Sequence, residues 1–254
     1  AFNDLSYIKN LLNTFPSIND NNLELIILDD SDNNLIKDYI STLNNSLKFV
    51  YIKNSCNKGA VANWNELLNL ANGDFIWLLH QNDIPDNFDL IFDEINNTDN
   101  IDAFIITTNV ESKYFRLLNT VHKHTYKVLL DLILKNPRYL LKLNVIGPPS
   151  SLILKQEFYQ SFDSSIEWLV DVENYYRTFN KEIRYKLLEN CIITSKFNPN
   201  SITSKLNNIN QITRNEIKSI KAKHQLRFKI LDIITILCLK ILHKLLTIST
   251  IRIK

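Results

Sequence analysis

The chain has 254 residues, 45% hydrophobic and 22% charged, which is enough to bury a sizeable core in one large domain or two small ones. Its net charge of +2 points away from nucleic acid, whose recognition needs a concentrated basic patch. Cys56, Cys191 and Cys238 lie far apart, with neither metal-ligand spacing nor a disulfide framework, and no signal-peptide pattern is present, so a reducing, cytoplasmic setting is expected. Residues 4–15 place Leu5, Ile8, Leu11, Leu12 and Phe15 at helical spacing, with Asp4 as N-cap and Pro16 as terminator. LELIIL at 23–28 reads as a buried strand and stops at DDSDNN, 29–34. Residues 35–45 read as a helix and FVYIKN at 49–54 as a strand. A loop through Gly59 leads to a helix at about 60–71 with Gly73 as its C′ residue, and DFIWLLH at 74–80 is the next strand. Further on, 102–110 reads as a strand and 114–143 as helical and basic with a break at Pro137. Residues 144–155 read as extended, 156–179 as two helices, and 183–197 as containing a strand.

Strand and helix alternate through residues 23–80. That order predicts an α/β layered domain around a mostly parallel sheet, where ligands bind beyond the carboxyl ends of strands. DDSDNN and HQND, 80–83, both fall at such ends. One acidic loop alone reads as a solvated turn; two at neighbouring strand ends point to a site. Glycine occurs only at positions 59, 73 and 147, so each is expected where another residue would strain the backbone. Methionine is absent and the chain opens at Ala1, which reads as a fragment of a longer protein.

In order and spacing these segments resemble the family 2 glycosyltransferases of the GT-A fold, over roughly residues 1–197. LDDSDN at 28–33 resembles the family's Val-Asp-Asp-Gly-Ser-x-Asp loop, and NKGAVANWN at 57–65 its Asn-x-Gly segment. ANGDFIWLLHQND at 71–83 resembles Ala-x-Gly-x-Tyr-Ile followed by the Asp-x-Asp metal motif. VIGPPSSLILK at 145–155 and FDSSIEWLVDVENYYR at 162–177 resemble the acceptor half and its catalytic Asp region. Ala1-Phe2-Asn3 looks like the tail of the motif that ends the family's first strand, so that strand is expected to be missing. The resemblance implies a GT-A domain over 1–200, with a nucleotide-binding half at 1–96 and an acceptor half at 97–200, followed by a helical tail at 201–254.

Sugar transfer from a nucleotide donor needs a neutralised diphosphate, a held nucleoside and a general base at the acceptor hydroxyl. The resemblance assigns nucleotide binding to Phe2, Asp29, Asp30, Asn65 and Asn82, with Asp30 on the base. It assigns Asp83 to Mn2+ or Mg2+, both of which prefer hard oxygen ligands. Asp171 is the implied base of an inverting transfer; at the reference pKa of about 3.9 it is ionised at neutral pH. Glu167 and Trp168 would line the acceptor pocket, and His80 reads as a positioning hydrogen-bonder. His122 and His124 read as an exposed helix face, with metal binding the alternative. Each acid has a plainer reading: Asp83 as a cap beside Ile84-Pro85, Asp32 as an Asx-turn, and Asp171 as a first-turn acid. Asn82 stands where the family usually has another acid. The implied function moves a sugar from a UDP- or dTDP-sugar to a glycan or lipid-linked acceptor in surface polysaccharide synthesis. The rivals are a catalytically weak or inactive binding protein and a nucleotidyltransferase.

Residues 229–249 are long and apolar, but Lys229, Asp232, Lys240, His243, Lys244 and Thr247 fall on one helical face. Ile234, Leu237, Cys238 and Leu245 fall opposite. Such a helix reads as a peripheral anchor on a membrane surface, with packing on the domain or on a second subunit as the competing reading.

Overall fold

The computed structural model describes residues 1–15, 23–43, 49–111, 120–196, 206–249 and 252–253. Helix α1 (Leu5–Thr14) starts where the Asp4 carboxylate accepts from the N–H groups of Ser6 and Tyr7, satisfying donors that an uncapped helix leaves free. Pro16, the expected terminator, lies outside the described residues. The next elements are β1 (Ile26–Asp29), α2 (Leu35–Thr42), β2 (Val50–Lys53) and α3 (Ala60–Leu70). β1 and β2 pair in parallel, from Ile26 opposite Val50 to Asp29 opposite Lys53. A parallel pair needs a crossover, and α2 supplies it. Ile8, Leu12, Ile27, Ile36 and Ile40 form a small core between this pair and α1 and α2.

The larger sheet holds β3 (Phe75–Trp77), β4 (Asp83–Pro85), β5 (Ala103–Val110), β6 (Thr120–Lys123), β7 (Leu152–Lys155), β8 (Tyr185–Ser195) and β9 (Arg252–Ile253). Its order is β3-β7-β5-β6-β9, with β8 on the other edge of β5 and β4 beyond β8. β5–β8 is parallel and the remaining pairs are antiparallel. The α/β sheet is therefore more mixed than the alternation of residues 23–80 alone suggests. Along β5, Phe104 and Ile106 face α4 (Phe88–Asn96) with Ile91, while Ala103 and Ile105 face the main core. Both faces are covered, so a strand of period two reads as an unbroken apolar run.

The main core is closed by α5 (Lys127–Leu134), α6 (Val170–Phe179), α7 (Ile209–Lys223) and α8 (Ile230–Ser249). Ile217 and Ile220 of α7 and Ile236 and Leu239 of α8 join the same cluster as Leu129, Leu140 and Tyr175. Helix α8 is held by Asp232, which is buried and accepts from Arg138 Nη2 at 2.7 Å, Tyr139 Oη at 2.8 Å and the Lys229 N–H at 2.6 Å. No helix among the described residues is long and apolar enough to cross a membrane.

Three local expectations change. The helix expected over 114–143 is a strand at Thr120–Lys123, a helix at Lys127–Leu134 and a 3-10 turn at Pro137–Leu141, with 112–119 outside the described residues. β-branched Thr120 and Val121 suit the pairings that β6 makes with β5 and β9. His122 therefore lies on a strand rather than a helix. Of the two helices expected over 156–179, the first is only the 3-10 turn Gln156–Phe158. The Asp163 carboxylate accepts from Ser165 N–H and Oγ, a local turn that competes with helix. Gly73 is not a left-handed C′ residue: α3 ends at Ala71 in an extended conformation, and only Gly59 and Gly147 among the glycines have positive φ.

Candidate active site

β1 delivers two adjacent carboxylates with different surroundings. Asp29 is fully buried; it accepts from the Ser31 N–H at 3.0 Å and from Tyr51 Oη at 2.7 Å, with Lys53 Nζ 3.8 Å away. Asp30 accepts from Asn54 Nδ2 and the Lys58 N–H at 2.8 Å each, and from the Gly59 N–H at 2.9 Å. It thereby ties the end of β1 to the loop that opens α3. Gly59 sits there at φ +82°, ψ 158°, a backbone shape that side chains disfavour. The Asn65 amide exchanges two bonds with the backbone of Phe162, at 2.7 and 3.0 Å, and so clamps α3 to the segment leading into α6.

The turn after β3 lies beside these groups. Gln81 exchanges two bonds with the Phe2 backbone, and the Ala1 carbonyl accepts from the Asp30 N–H. Residues 1–2 thus bridge the end of β1 to the turn at 80–83. The Asn82 amide donates to the Lys196 carbonyl at 3.1 Å and to Asp83 Oδ1 at 3.4 Å. It faces the acid as a donor instead of adding a second charge.

Asp83 is 1% exposed, and its Oδ2 has no hydrogen-bond partner. The nearest cationic candidate is His80, with Nδ1 3.8 Å from that oxygen. His80 stacks on Trp64 with ring centroids 4.9 Å apart, and its buried Nε2 is also without a partner. Burial lowers the His80 pKa against the opposing pull of Asp83, which favours a neutral imidazole. A buried carboxylate left unpaired costs several kcal/mol, roughly the scale of a whole buried ion pair. A divalent cation at the open oxygen offsets that cost. Mg2+ and Mn2+ commonly take one or two carboxylates and complete their shell with water and substrate phosphate. The orphaned oxygen fits such an ion, although no group of three or more His, Cys, Asp or Glu side chains among the described residues is arranged to hold one alone.

The segment 144–151 joins this turn to α6. The His80 N–H donates to Ser150 Oγ at 2.8 Å, and Trp77 Nε1 to the Ser150 carbonyl at 2.7 Å. Asn144 Nδ2 reaches the Gly147 carbonyl at 3.0 Å and Asp171 Oδ2 at 3.4 Å. Gly147, at φ +109°, leaves no room for a side chain, since a Cβ would lie 2.7 Å from Ser151 Oγ.

Asp171 opens the first turn of α6, where its Oδ1 accepts from the Val172 N–H at 2.9 Å. It keeps some surface exposed, but burial of the carboxyl pushes its pKa up to about 7, against the lowering effect of that N–H. This corrects the expectation of an Asp fully ionised at neutral pH. Buried Tyr175, one turn along, donates to the Gly147 carbonyl at 3.3 Å. Its pKa is raised by burial and then by the charges of Asp171, Tyr159 and Asp83. Asp83 and Asp171, 88 positions apart in the chain, are connected through segment 144–151, which bonds the His80 turn through Ser150 and Asp171 through Asn144. Asp30 reaches the same region through Ala1, Phe2 and Gln81, but its oxygens are engaged by the 54–59 loop.

Glu167 is exposed and Trp168 half-buried against the core, just before α6. Their backbone N–H groups and that of Leu169 donate to the Glu216 carboxylate of α7. Glu216, Asn144, Gln81 and Tyr175 are contributors that sequence reading does not single out. Glu216 lies 49 positions from its first partner with no motif to link them.

The sequence profile described as Glycosyl transferase family 2 matches residues 1–154. No curated protein sequence matches the chain significantly. Among solved structures, S. aureus TarS 1-349 in complex with UDP-GlcNAc is 17% identical, with a TM-score of 0.59 over 85% of this chain and 63% of that one. The mannosyltransferase PcManGT from Pyrobaculum calidifontis, in complex with GDP-Man and Mn2+, is 11% identical, with a TM-score of 0.58 over 90% of this chain and 63% of that one. A longer S. aureus TarS structure is 16% identical, with a TM-score of 0.56 over 78% of this chain and 36% of that one. At such identities the likeness shows the fold alone, and the chain spans between 36% and 63% of the length of these structures. The fold is that of GT-A glycosyltransferases, and with more than half its length matched by the profile the chain belongs to glycosyl transferase family 2.

Proposed function

We propose that this glycosyltransferase moves a sugar from a nucleotide-sugar, of the UDP or dTDP type, to a glycan or lipid-linked acceptor with inversion, in surface polysaccharide synthesis. The observation that carries the reading is a pair of acids short of donors and linked through segment 144–151: Asp83 with an unpartnered oxygen, and Asp171, whose carboxyl pKa is pushed up to about 7 by burial.

In this reading Asp171 accepts the proton of the acceptor hydroxyl. The freed oxygen pair forms a bond to the anomeric carbon from the face opposite the diphosphate. The bond from that carbon to the phosphate oxygen breaks, and the nucleoside diphosphate leaves with the electron pair. A divalent cation held by Asp83, when bound, neutralises the charge growing on the diphosphate. Asn144 orients Asp171, and segment 144–151 ties that acid to the His80 turn. UDP-GlcNAc in the TarS structure, and GDP-Man with Mn2+ in the mannosyltransferase, are bound by proteins of this fold and support the choice of donor and ion classes.

The test is release of nucleoside diphosphate from a panel of UDP-, dTDP- and GDP-sugars, with and without Mn2+. Asp83→Ala and Asp171→Asn are each expected to lower release by about a hundredfold or more. Equal release from both variants and the wild type overturns the assignment. Binding of a donor without release favours the inactive binding protein. That second reading has its own observation, an Asn82 amide that donates to Asp83 and to the Lys196 carbonyl.

A further inference from the structure

We propose that the outward face of α8 is a docking surface for an anionic lipid bilayer. The helix meets the domain through Asp232, Ile236 and Leu239, all buried, and through His243, which contacts the His124 carbonyl. Ile230, Ile234, Leu237, Ile241 and Leu245 are left on the opposite face, each more than half exposed. This is the reverse of a helix that buries its apolar stripe against its own core. The Arg138–Asp232 pair fixes the rotation, because turning the stripe inward would carry Asp232 away from Arg138 and Tyr139.

Charge selects the occupant. Lys240 and Lys244 are exposed and border the apolar stripe along one side. Lys142 feels both Lys221 and Lys240: its pKa is lowered by burial and then by those two lysines. Residues 201–254 contain eleven Lys and Arg against two acids, a net of +9, whereas residues 1–200 contain 18 against 25, a net of −7. The small net charge of the whole chain hides this polarity. A second copy of the chain offers no counter-charge from this face, because Asp232 is the only acid on α8 and is already paired. Anionic headgroups supply that charge, and the acyl boundary takes the isoleucines and leucines. With no helix among the described residues able to span, the geometry is that of a helix lying on the surface. Such docking is independent of sugar transfer and stands or falls separately from it.

The experiment is flotation of the full chain with vesicles of phosphatidylcholine alone, or of phosphatidylcholine with three tenths phosphatidylglycerol. The wild type is expected to float with the anionic vesicles and weakly with the neutral ones. Ile234→Ser, Leu237→Ser and Ile241→Ser together are expected to lower the bound fraction by more than about tenfold. Lys240→Glu with Lys244→Glu keeps the apolar stripe and serves if the triple variant does not fold; about a fivefold loss is expected per lysine removed. No flotation of the wild type with anionic vesicles overturns the proposal, and so does flotation unchanged in either variant. Sedimentation showing a wild-type dimer that becomes a monomer in either variant also overturns it, assigning the face to a second copy.

Discussion

Asp171→Asn removes one ionisation and almost no volume. In the wild type, burial raises the Asp171 pKa from 3.8 to about 7. At pH 6 about a tenth of the carboxyls are ionised, and at pH 8 about nine tenths. If Asp171 is the base, kcat/KM for nucleoside diphosphate release rises about tenfold across that interval, since kcat/KM reports the free enzyme. An acid at the ordinary value would be ionised throughout and the profile flat. Stability changes in the opposite direction. The folded chain holds this proton more tightly than the unfolded chain, so ionisation costs nothing below pH 4, progressively more between pH 4 and 7, and its full amount above. A shift of this size corresponds to at most about 4 kcal/mol. Urea unfolding of wild type and Asp171→Asn at pH 4 and pH 8 isolates it: the variant gains stability at pH 8 and matches the wild type at pH 4. A flat kcat/KM profile from pH 6 to 8, together with equal stability of the two proteins at pH 8, refutes both the burial of this carboxyl and its role.

Glu173 is fully buried and pairs with Arg177 and Lys223 and bonds the His224 ring, so Glu173→Ala, which breaks a buried ion pair, is expected to cost about 3–5 kcal/mol in urea unfolding. Gly147→Ala places a Cβ 2.7 Å from Ser151 Oγ at φ +109°. The backbone strain alone is expected to cost about 1–3 kcal/mol, read as a lowered Tm. Mn2+ is expected to raise the wild-type Tm in the presence of a nucleoside diphosphate, and EDTA to reverse it. Asp83→Ala should abolish the shift if, as proposed, the orphaned oxygen is the binding atom.

Local rules made much of the fold legible. Asp4 caps α1 as its position before LSYIKN suggests, and the apolar runs at 26–29, 50–53, 103–110 and 185–195 are strands. What failed depends on partners distant in sequence. Thr120–Lys123 is a strand because β5 and β9 lie beside it, and two β-branched residues are too short a signal to announce it. The tail had correct periodicity but an unreadable orientation. Asp232 is an exposed polar residue by pattern, and is buried only because Arg138 and Tyr139, 94 and 93 positions away, meet it.

The site has the same logic at atomic scale. The family resemblance assigns roles to the site's acids, but residue type alone cannot rank them, because an aspartate's role is set by how many donors reach it. Asp29 has Ser31 and Tyr51, Asp30 has Asn54, Lys58 and Gly59, and Glu173 has Arg177, Lys223 and the His224 ring. Those carboxylates are satisfied and hold the structure together. Asp83 has one long bond from Asn82 and an open oxygen, and Asp171 has its own helix N–H and a long bond from Asn144. Burial without donors raises the energy of a charge, and a cation at the first acid or a proton at the second lowers it again. In the proposed function the chemistry belongs to the two acids that the fold leaves short of partners. Supplying a donor beside either, without touching the acid itself, should lower transfer as surely as removing it.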